Sequence, residues 1–482
     1  MTRDATPGAT PSGAPGPTGG ASSPGAPPGF PDVPPDGWRT FLVLWITQSL
    51  SVLGTAMTFF AINIWLTQGL YPRPEQKASL AFALSANSLA FALPTVLAAP
   101  IAGAWADRHD RRRVMLFANL VAAALGGVLV TLLLAHALGL PALLAIMALY
   151  CLTGAFHVAS FDTAYAMLVP RDQLPRANGM MQSMWALSGI LSPAAAAALI
   201  ALPALARQGG APGPLHDWLA RLESGVPFAI AIDVATFLIA AFTLTRLRIP
   251  RLERVTSAKP PLLADIRVGA DYIRHRPPLL WLLATFAFAN LVWSPLLVLQ
   301  PLFLKFDLAA DWRARGMTFE AALATLNVVN GIGGIAGAVA VSVWGGLKRR
   351  RVLGVLVPVV LLGLGLVGFG LSRRIDVACV AMFLVGALLP ALNAHSQAIW
   401  QAQTPRELQG RVFSVRRLIA QFTMPIGTGL GGAIGGLLDP ARAVVWMGVI
   451  GAAFGAAQLF NPALRNVEDK AALDAMAARS GS

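Results

Sequence analysis

The chain has 482 residues, 56% of them hydrophobic and 12% charged, about half the charge of a soluble domain at ~25%. So little charge cannot cover a soluble surface, which excludes a cytosolic enzyme and leaves a polytopic membrane protein. The net charge of +14, from 37 Lys and Arg against 23 Asp and Glu, would point to nucleic acid in a soluble chain; the distribution of those cations excludes it here.

Residues 1–37 are rich in Pro, Gly, Ala and Ser and lack the basic start and apolar core of a signal peptide, so they are expected to form a disordered tail. Twelve apolar stretches follow, each long enough for the roughly 20 residues that cross a bilayer. Six are expected at 41–66, 79–103, 114–138, 142–168, 178–203 and 226–247. Six more are expected at 279–303, 319–344, 352–371, 377–401, 413–437 and 442–460. With the N-terminus inside, 27 of the 37 cations fall on the inner side and ten on the outer. The positive-inside rule then puts both termini in the cytoplasm, with the anionic inner leaflet as the partner of the charge.

The longest inner connection, 248–278, carries Pro260-Pro261 and then Ile266, Ala270 and Ile273 at helical spacing, the pattern of an amphipathic helix lying on the membrane. It separates an N-terminal half, 38–247, from a C-terminal half, 279–461, and a tail, 462–482, follows. Cys151 and Cys379 sit in apolar runs and offer neither a disulfide framework nor a metal site. No phosphate-binding loop, nucleophile elbow or metal-ligand spacing occurs, so no enzyme activity and no cofactor are expected.

The halves echo each other. Pro170, Arg171, Asp172 and Arg176 recur 235 residues later as Pro405, Arg406, Glu407 and Arg411. Arg111–Val114 recurs as Arg349–Val352, and Pro193 and Pro425 stand at mid-depth in the fifth and eleventh stretches. Two parallel six-span halves are one way transporters are built.

Between the second and third stretches, Gly103, Asp107, Arg108, Arg111 and Arg112 stand in the pattern G-x-x-x-D-R-x-x-R-R. On these residues the chain resembles the major facilitator superfamily. In the second-half copy Gly345 stands where the first half has Asp107. Gln48, Ser49, Ser51, Leu53 and Gly54, then Ala231, Ile232, Asp233 and Phe237, then Gly410, Arg411 and Val412 resemble its macrolide-efflux and enterobactin-exporter branch. Gly179, Ser188, Ser192, Pro193, Ala196 and Ala197 resemble the antiporter pattern G-x8-G-x3-G-P-x2-G-G, with four glycines replaced by other small residues. The resemblance implies an all-α polytopic fold of twelve transmembrane helices in two pseudo-symmetric halves. It also implies that Asp107 steadies the outward-open state by contact with the eleventh helix, within a conformational latch of Gly103, Asp107, Arg108, Arg111 and Arg112.

Asp162 and Asp233 lie well inside the stretches and are the candidate proton carriers, because an intramembrane carboxylate must be paired, protonated or wet. The resemblance places the sixth helix outside the cavity, which favours a structural role for Asp233. His157 is not on the same helix face as Asp162, and His395 is alone. Uncharged polar residues form stripes at helical spacing: Gln48, Ser51 and Thr55; Asn178, Gln182 and Trp185; Asn327 and Asn330; Asn393, Gln397 and Gln401. Lipid cannot satisfy them, so they face either a substrate cavity or other helices. The expectation is a monomeric bacterial cytoplasmic-membrane transporter exporting an amphipathic small molecule (a drug, siderophore or peptide natural product) against protons. The alternatives are a proton-coupled importer and a non-transporting membrane sensor on the same scaffold.

Overall fold

A computed structural model describes residues 34–209, 213–249 and 262–480. Most of the expected tail, and Pro260 and Pro261, lie outside the described residues. The first half contains spans 1 to 6: Gly37–Leu70, Lys77–Arg108, Arg111–Leu134, Leu140–Leu168, Leu174–Gln208 and Val226–Arg246. The second contains spans 7 to 12: Pro277–Phe306, Phe319–Trp344, Leu353–Leu371, Ile375–Gln403, Gln409–Leu437 and Pro440–Leu459. Span 1 ends in a π-helical turn, Trp65–Leu70, and span 7 breaks at Ser294-Pro295 into Pro277–Trp293 and Leu296–Phe306. The amphipathic helix after the central connection forms at Leu262–Arg274, with Tyr272 and Ile273 buried against the C-terminal half.

Eleven of the described helices are long and apolar enough to cross a membrane. Span 11 is the exception. It has 29 residues, but Arg411, Arg416, Arg417 and a run of glycines dilute its apolar character. It nonetheless packs within the bundle, against spans 2 and 7. Helix starts follow from local chemistry: the Asp110 carboxylate accepts from the Arg112 and Arg113 amides at the head of span 3, and Asp439 does the same for Arg442 at span 12.

The sequence repeat appears as repeated packing. Span 2 packs on span 4 and span 3 on span 6; likewise span 8 packs on span 10 and span 9 on span 12. Within lipid, helices attract each other by close packing rather than by hydrophobic burial, so small residues mark the seams. Gly333 and Gly337 of span 8 lie against the Phe383 and Ala387 backbone of span 10, while Gly363 and Gly448 bring spans 9 and 12 together. The departure at Gly345 also has a backbone reason. Its φ of 78° is left-handed, and Gly346 at 72° follows it, closing span 8 in a conformation that aspartate adopts at a cost.

The two halves meet along spans 2 and 11 and along spans 5 and 8. Spans 1 and 12 begin and end on one face of the bundle, the terminal face; the opposite end is the far face. Toward the far face, a Cβ on Gly432 would stand 2.5 Å from the Ser85 Cβ, and one on Gly435 would stand 2.7 Å from Leu302. Span 11 is thus wedged between spans 2 and 7 on a face without side chains. Gly432→Val is expected to pry the far face apart. Spin labels on Glu75 and Arg374 would read it as a longer interlabel distance in detergent; an unchanged distance would refute the wedge.

Candidate functional site

Inside the N-terminal half, one carboxylate gathers three spans. Asp233 of span 6 is 2% exposed. Its Oδ2 accepts from the Thr58 hydroxyl at 2.7 Å and from the Tyr150 hydroxyl at 2.6 Å, and its Oδ1 accepts from Thr55 at 3.3 Å. The Thr55 and Tyr150 oxygens are themselves 3.0 Å apart. Gly54 makes the approach feasible, since a Cβ there would stand 2.8 Å from the Asp233 Oδ1. Ser51 lies 3.5 Å from the Thr236 carbonyl, so Ser51 and Thr55 face span 6, while Gln48 is half-buried nearby.

The small residues of span 5 pack on span 1. Ser192 donates to the Leu53 carbonyl at 3.0 Å and Ser188 to the Val52 carbonyl at 3.3 Å. Pro193, Ala196 and Ala197 are buried beside them. Serine in place of glycine therefore keeps the close approach and adds hydrogen bonds. Gly179 lies nearer the terminal face, where a Cβ would meet nothing within 4 Å.

Toward the terminal face the halves present charge to each other. Asp162 on span 4 is exposed, and Arg417 on span 11 acts on it electrostatically without an ion pair within 4.0 Å. Gln182 and Trp185 are exposed on span 5, and Asn178 accepts from the Tyr165 hydroxyl at 3.0 Å. His157 is buried beside the ring of Phe161, whereas Asp162 is exposed.

In the loop joining spans 2 and 3, Arg112 donates to the Leu244 and Thr245 carbonyls at 2.6 Å each, capping the end of span 6. Arg111 is buried, with a guanidinium nitrogen 3.3 Å from the Met167 sulfur. Arg108 is exposed, and a Cβ on Gly103 would meet nothing within 4 Å. The backbone of Asp107 is helical, but its side chain lies outside the described residues.

The C-terminal half contains two adjoining cavities, of about 340 Å³ and about 210 Å³, which share Asn290, Trp293 and Leu389. The larger holds Gln300, Asn327 and Asn330; the smaller holds Asn393 and Arg416. Gln300 donates to Asn327 at 3.2 Å, Asn330 to the Met382 carbonyl at 2.9 Å, and Arg416 to Gln397 at 2.6 Å. Gln401 is exposed at the terminal end of span 10. His395 has a different task. Its Nε2 accepts from the Leu347 amide at 2.8 Å and its Nδ1 donates to the Ala391 carbonyl at 2.7 Å, which pins the loop after span 8. Asn290, Gln300 and Arg416 were not among the expected site residues. The first two are isolated polar residues in an apolar run, and Arg416 sits close enough to its helix start to read as a loop cation.

At the far face the halves are clasped. Lys305 of span 7 donates to the Thr67 and Tyr71 carbonyls at 2.6 Å each, at the end of span 1. Lys77 donates to the Leu438 carbonyl at 2.9 Å, and Ser85 donates to that of Thr428 at 3.0 Å. Beside the clasp, just beyond span 7, the Asp307 carboxyl is pushed from its ordinary 3.8 to about 6 by burial and by Asp439, against the pull of Arg373 and Lys77.

The sequence profile described as Major Facilitator Superfamily matches residues 44–428. Macrolide efflux protein A of Streptococcus pyogenes is 28% identical over 400 residues, covering 81% of this chain and 88% of that one. Macrolide efflux protein A of Enterococcus faecalis is 29% identical over 354 residues, covering 72% and 99%. In fold, a bacterial homolog of the human lysosomal transporter Spinster, solved in an inward-facing and unoccupied conformation, has a TM-score of 0.59 at 16% identity, covering 92% of this chain and 96% of that one. A POT family transporter in complex with 5-aminolevulinic acid has a TM-score of 0.64 at 12% identity, covering 88% and 96%. The chain belongs to the Major Facilitator Superfamily: it is a multi-pass membrane transporter of a small molecule, not an enzyme.

Two outcomes follow from the geometry. Asp233→Leu leaves the Thr58 and Tyr150 hydroxyls without an acceptor and is expected to cost about 2 to 3 kcal/mol, whereas Asp233→Asn keeps an acceptor and costs less; thermal unfolding in detergent would show the order. For Asp307, the folded protein favours the protonated acid. The contribution of this site to stability is therefore full below pH 3.8, falls as pH rises toward about 6, and carries the full penalty above it. Thermal unfolding in detergent across that range should follow that course, and Asp307→Asn should flatten it.

Proposed function

We propose that this member of the Major Facilitator Superfamily exports an amphipathic small molecule in exchange for protons, by alternating access, from a bacterial cytoplasmic membrane with both termini inside. The described state is then the inward-facing one. One contrast carries the reading. The far-face glycines of the seam, Gly432 and Gly435, are tightly packed, while Gly103, Gly179 and Gly410 toward the terminal face meet nothing within 4 Å. Glycines with no demand on them in this state are accounted for by a second state, in which spans 2, 5 and 11 close on the terminal face and release the far face. The chain's similarity to two macrolide efflux proteins supports export over uptake.

In that second state Gly103, Asp107, Arg108, Arg111 and Arg112 form the latch, with Arg112 also holding span 6 in place. Asp162 is the proton carrier, since it faces the space between the halves and Arg417 lies across from it. Asp233 anchors spans 1, 4 and 6, because hydroxyls enclose it. Gln48, Asn178, Gln182 and Trp185 line the N-terminal side of the substrate path. Asn327, Asn330, Asn393, Gln397 and Gln401 line the other. Ser51 and Thr55 serve the anchor instead. The carrier acts as a monomer and needs no cofactor.

The test uses inverted vesicles carrying an imposed pH gradient and a pH-sensitive dye. A macrolide added outside should collapse part of the gradient, and Asp162→Asn should abolish the response without loss of folded protein. Near-normal coupling in that variant would remove Asp162 from the mechanism; transport of several amphiphiles without proton movement would remove antiport. Gly103→Leu should leave thermal stability within about 0.5 kcal/mol, as for a surface change away from packing, yet stop turnover.

A further inference from the structure

The cavities inside the C-terminal half have a charge balance of their own. Arg416 is the charged residue in their walls, and no carboxylate lines either one. Among the described residues none pairs with it. Its hydrogen bonds go to neutral groups, Gln397 at 2.6 Å and the Ser396 hydroxyl at 3.3 Å. Phe286 and Trp400 flank the guanidinium at 5.7 Å and 5.6 Å. A guanidinium about two turns inside a membrane span is expensive unless an anion or water balances it.

The larger cavity adjoins the smaller through Asn290, Trp293 and Leu389. The Ser294 hydroxyl is turned out of it, toward Gly427 of span 11, and the Trp293 indole nitrogen toward Gly451 of span 12, so the ring of Trp293 rather than its N–H is what it contributes. Asn290 lines both cavities and spends one bond of its amide, at 3.3 Å, on the Ala420 carbonyl, which leaves its second N–H for an acceptor. The exposed apolar side chains of Leu297 and Met424 stand at the rim. About 340 Å³ falls at the lower end of the size of small-molecule sites.

We infer that the C-terminal half holds a ligand pocket for an acidic amphiphile: an aromatic or alicyclic body in the larger cavity, against Trp293 and Leu389 and beside the Asn290 amide, with a carboxylate or phenolate directed to Arg416. The inference names a substrate class for the exporter and rests on that reading for its purpose, but the pocket itself stands on the geometry. Asp162 lies in the other half, so the acidic end and any basic end of a solute are received by different halves.

The test is calorimetric titration of the full chain in nanodiscs of uncharged net lipid, with two probes of one shape, 1-naphthylacetate and 1-naphthylmethylamine. The anion should bind about tenfold or more tightly than the amine, as a charge-assisted hydrogen bond implies. Arg416→Gln should abolish that preference and Arg416→Lys should restore part of it. Asn290→Leu, which removes the amide that lines both cavities, should weaken anion binding several-fold, and Asp162→Asn should leave it unchanged. Equal binding of both probes, or a preference that survives Arg416→Gln, would overturn the pocket. Proton-coupled macrolide flux with no anion binding would sink the pocket and leave export standing; anion binding without coupled flux would do the reverse.

Discussion

Along span 11, residues 427, 431, 432 and 435 are all glycine, and each faces a neighbour that leaves too little room for a Cβ. Gly427 lies against Leu291 and Ser294, and Gly431 lies against Pro295, both on span 7. Gly432 turns to span 2. One helix thereby touches the second half and the first at once. The same glycines lower its apolar content, which is why the helix that joins the halves is also the one least like a membrane span. Both properties have one cause: lipid gives no advantage to bulky apolar contacts between helices, so affinity there comes from closeness.

The two halves share a packing plan and differ in their polar interiors. In the first, the intramembrane acid Asp233 is enclosed by hydroxyls from spans 1 and 4, and its hydrogen-bond demand is met inside the protein. In the second, Arg416 is met only by neutral groups, and a cavity opens beside it. Pseudo-symmetry of backbone thus coexists with opposite electrostatics: one half has an acid in a filled site, the other a base in an unfilled one. Two-fold packing sets where helices cross, whereas single substitutions at facing positions set what lies between them.

The helices, the repeat and the one-sided distribution of the cations were legible in the sequence because each is a local pattern, an apolar run or a short charged motif. The shortfall at span 11 came from glycine, which a count of apolar stretches passes over. The enclosure of Asp233 could not be read, because Thr55, Thr58, Tyr150 and Asp233 converge only when spans 1, 4 and 6 pack. The same holds for Ser51 and Thr55, whose spacing suits a cavity wall and a helix seam equally. Gly345 could be seen to depart from the first-half motif, but only the left-handed backbone explains why. Arg416 was counted with the loop cations; its direction, into the bundle rather than out to the headgroups, is a property of tertiary structure.

The four hydrogen bonds that clasp the far face have one more thing in common. Each runs from a side chain to a main-chain carbonyl, at Thr67, Tyr71, Thr428 and Leu438. The carbonyls of Thr67, Tyr71 and Leu438 stand at helix ends and have no partner within their own helix, that of Thr428 in mid-span accepts with its second lone pair, and every residue type supplies a carbonyl. The hydrogen bonds of the clasp therefore ask nothing of the acceptor side chains, and the residue-specific part of them is confined to three donors, Lys77, Ser85 and Lys305. Drift at 71 or 438, where the side chain is not buried, passes without effect on the fastening so long as the helix is kept, whereas the buried side chains of Thr67 and Thr428 limit what can replace them. A lineage adapting to a new solute can thus rewrite one strip of each helix while the fastening across from it stays intact.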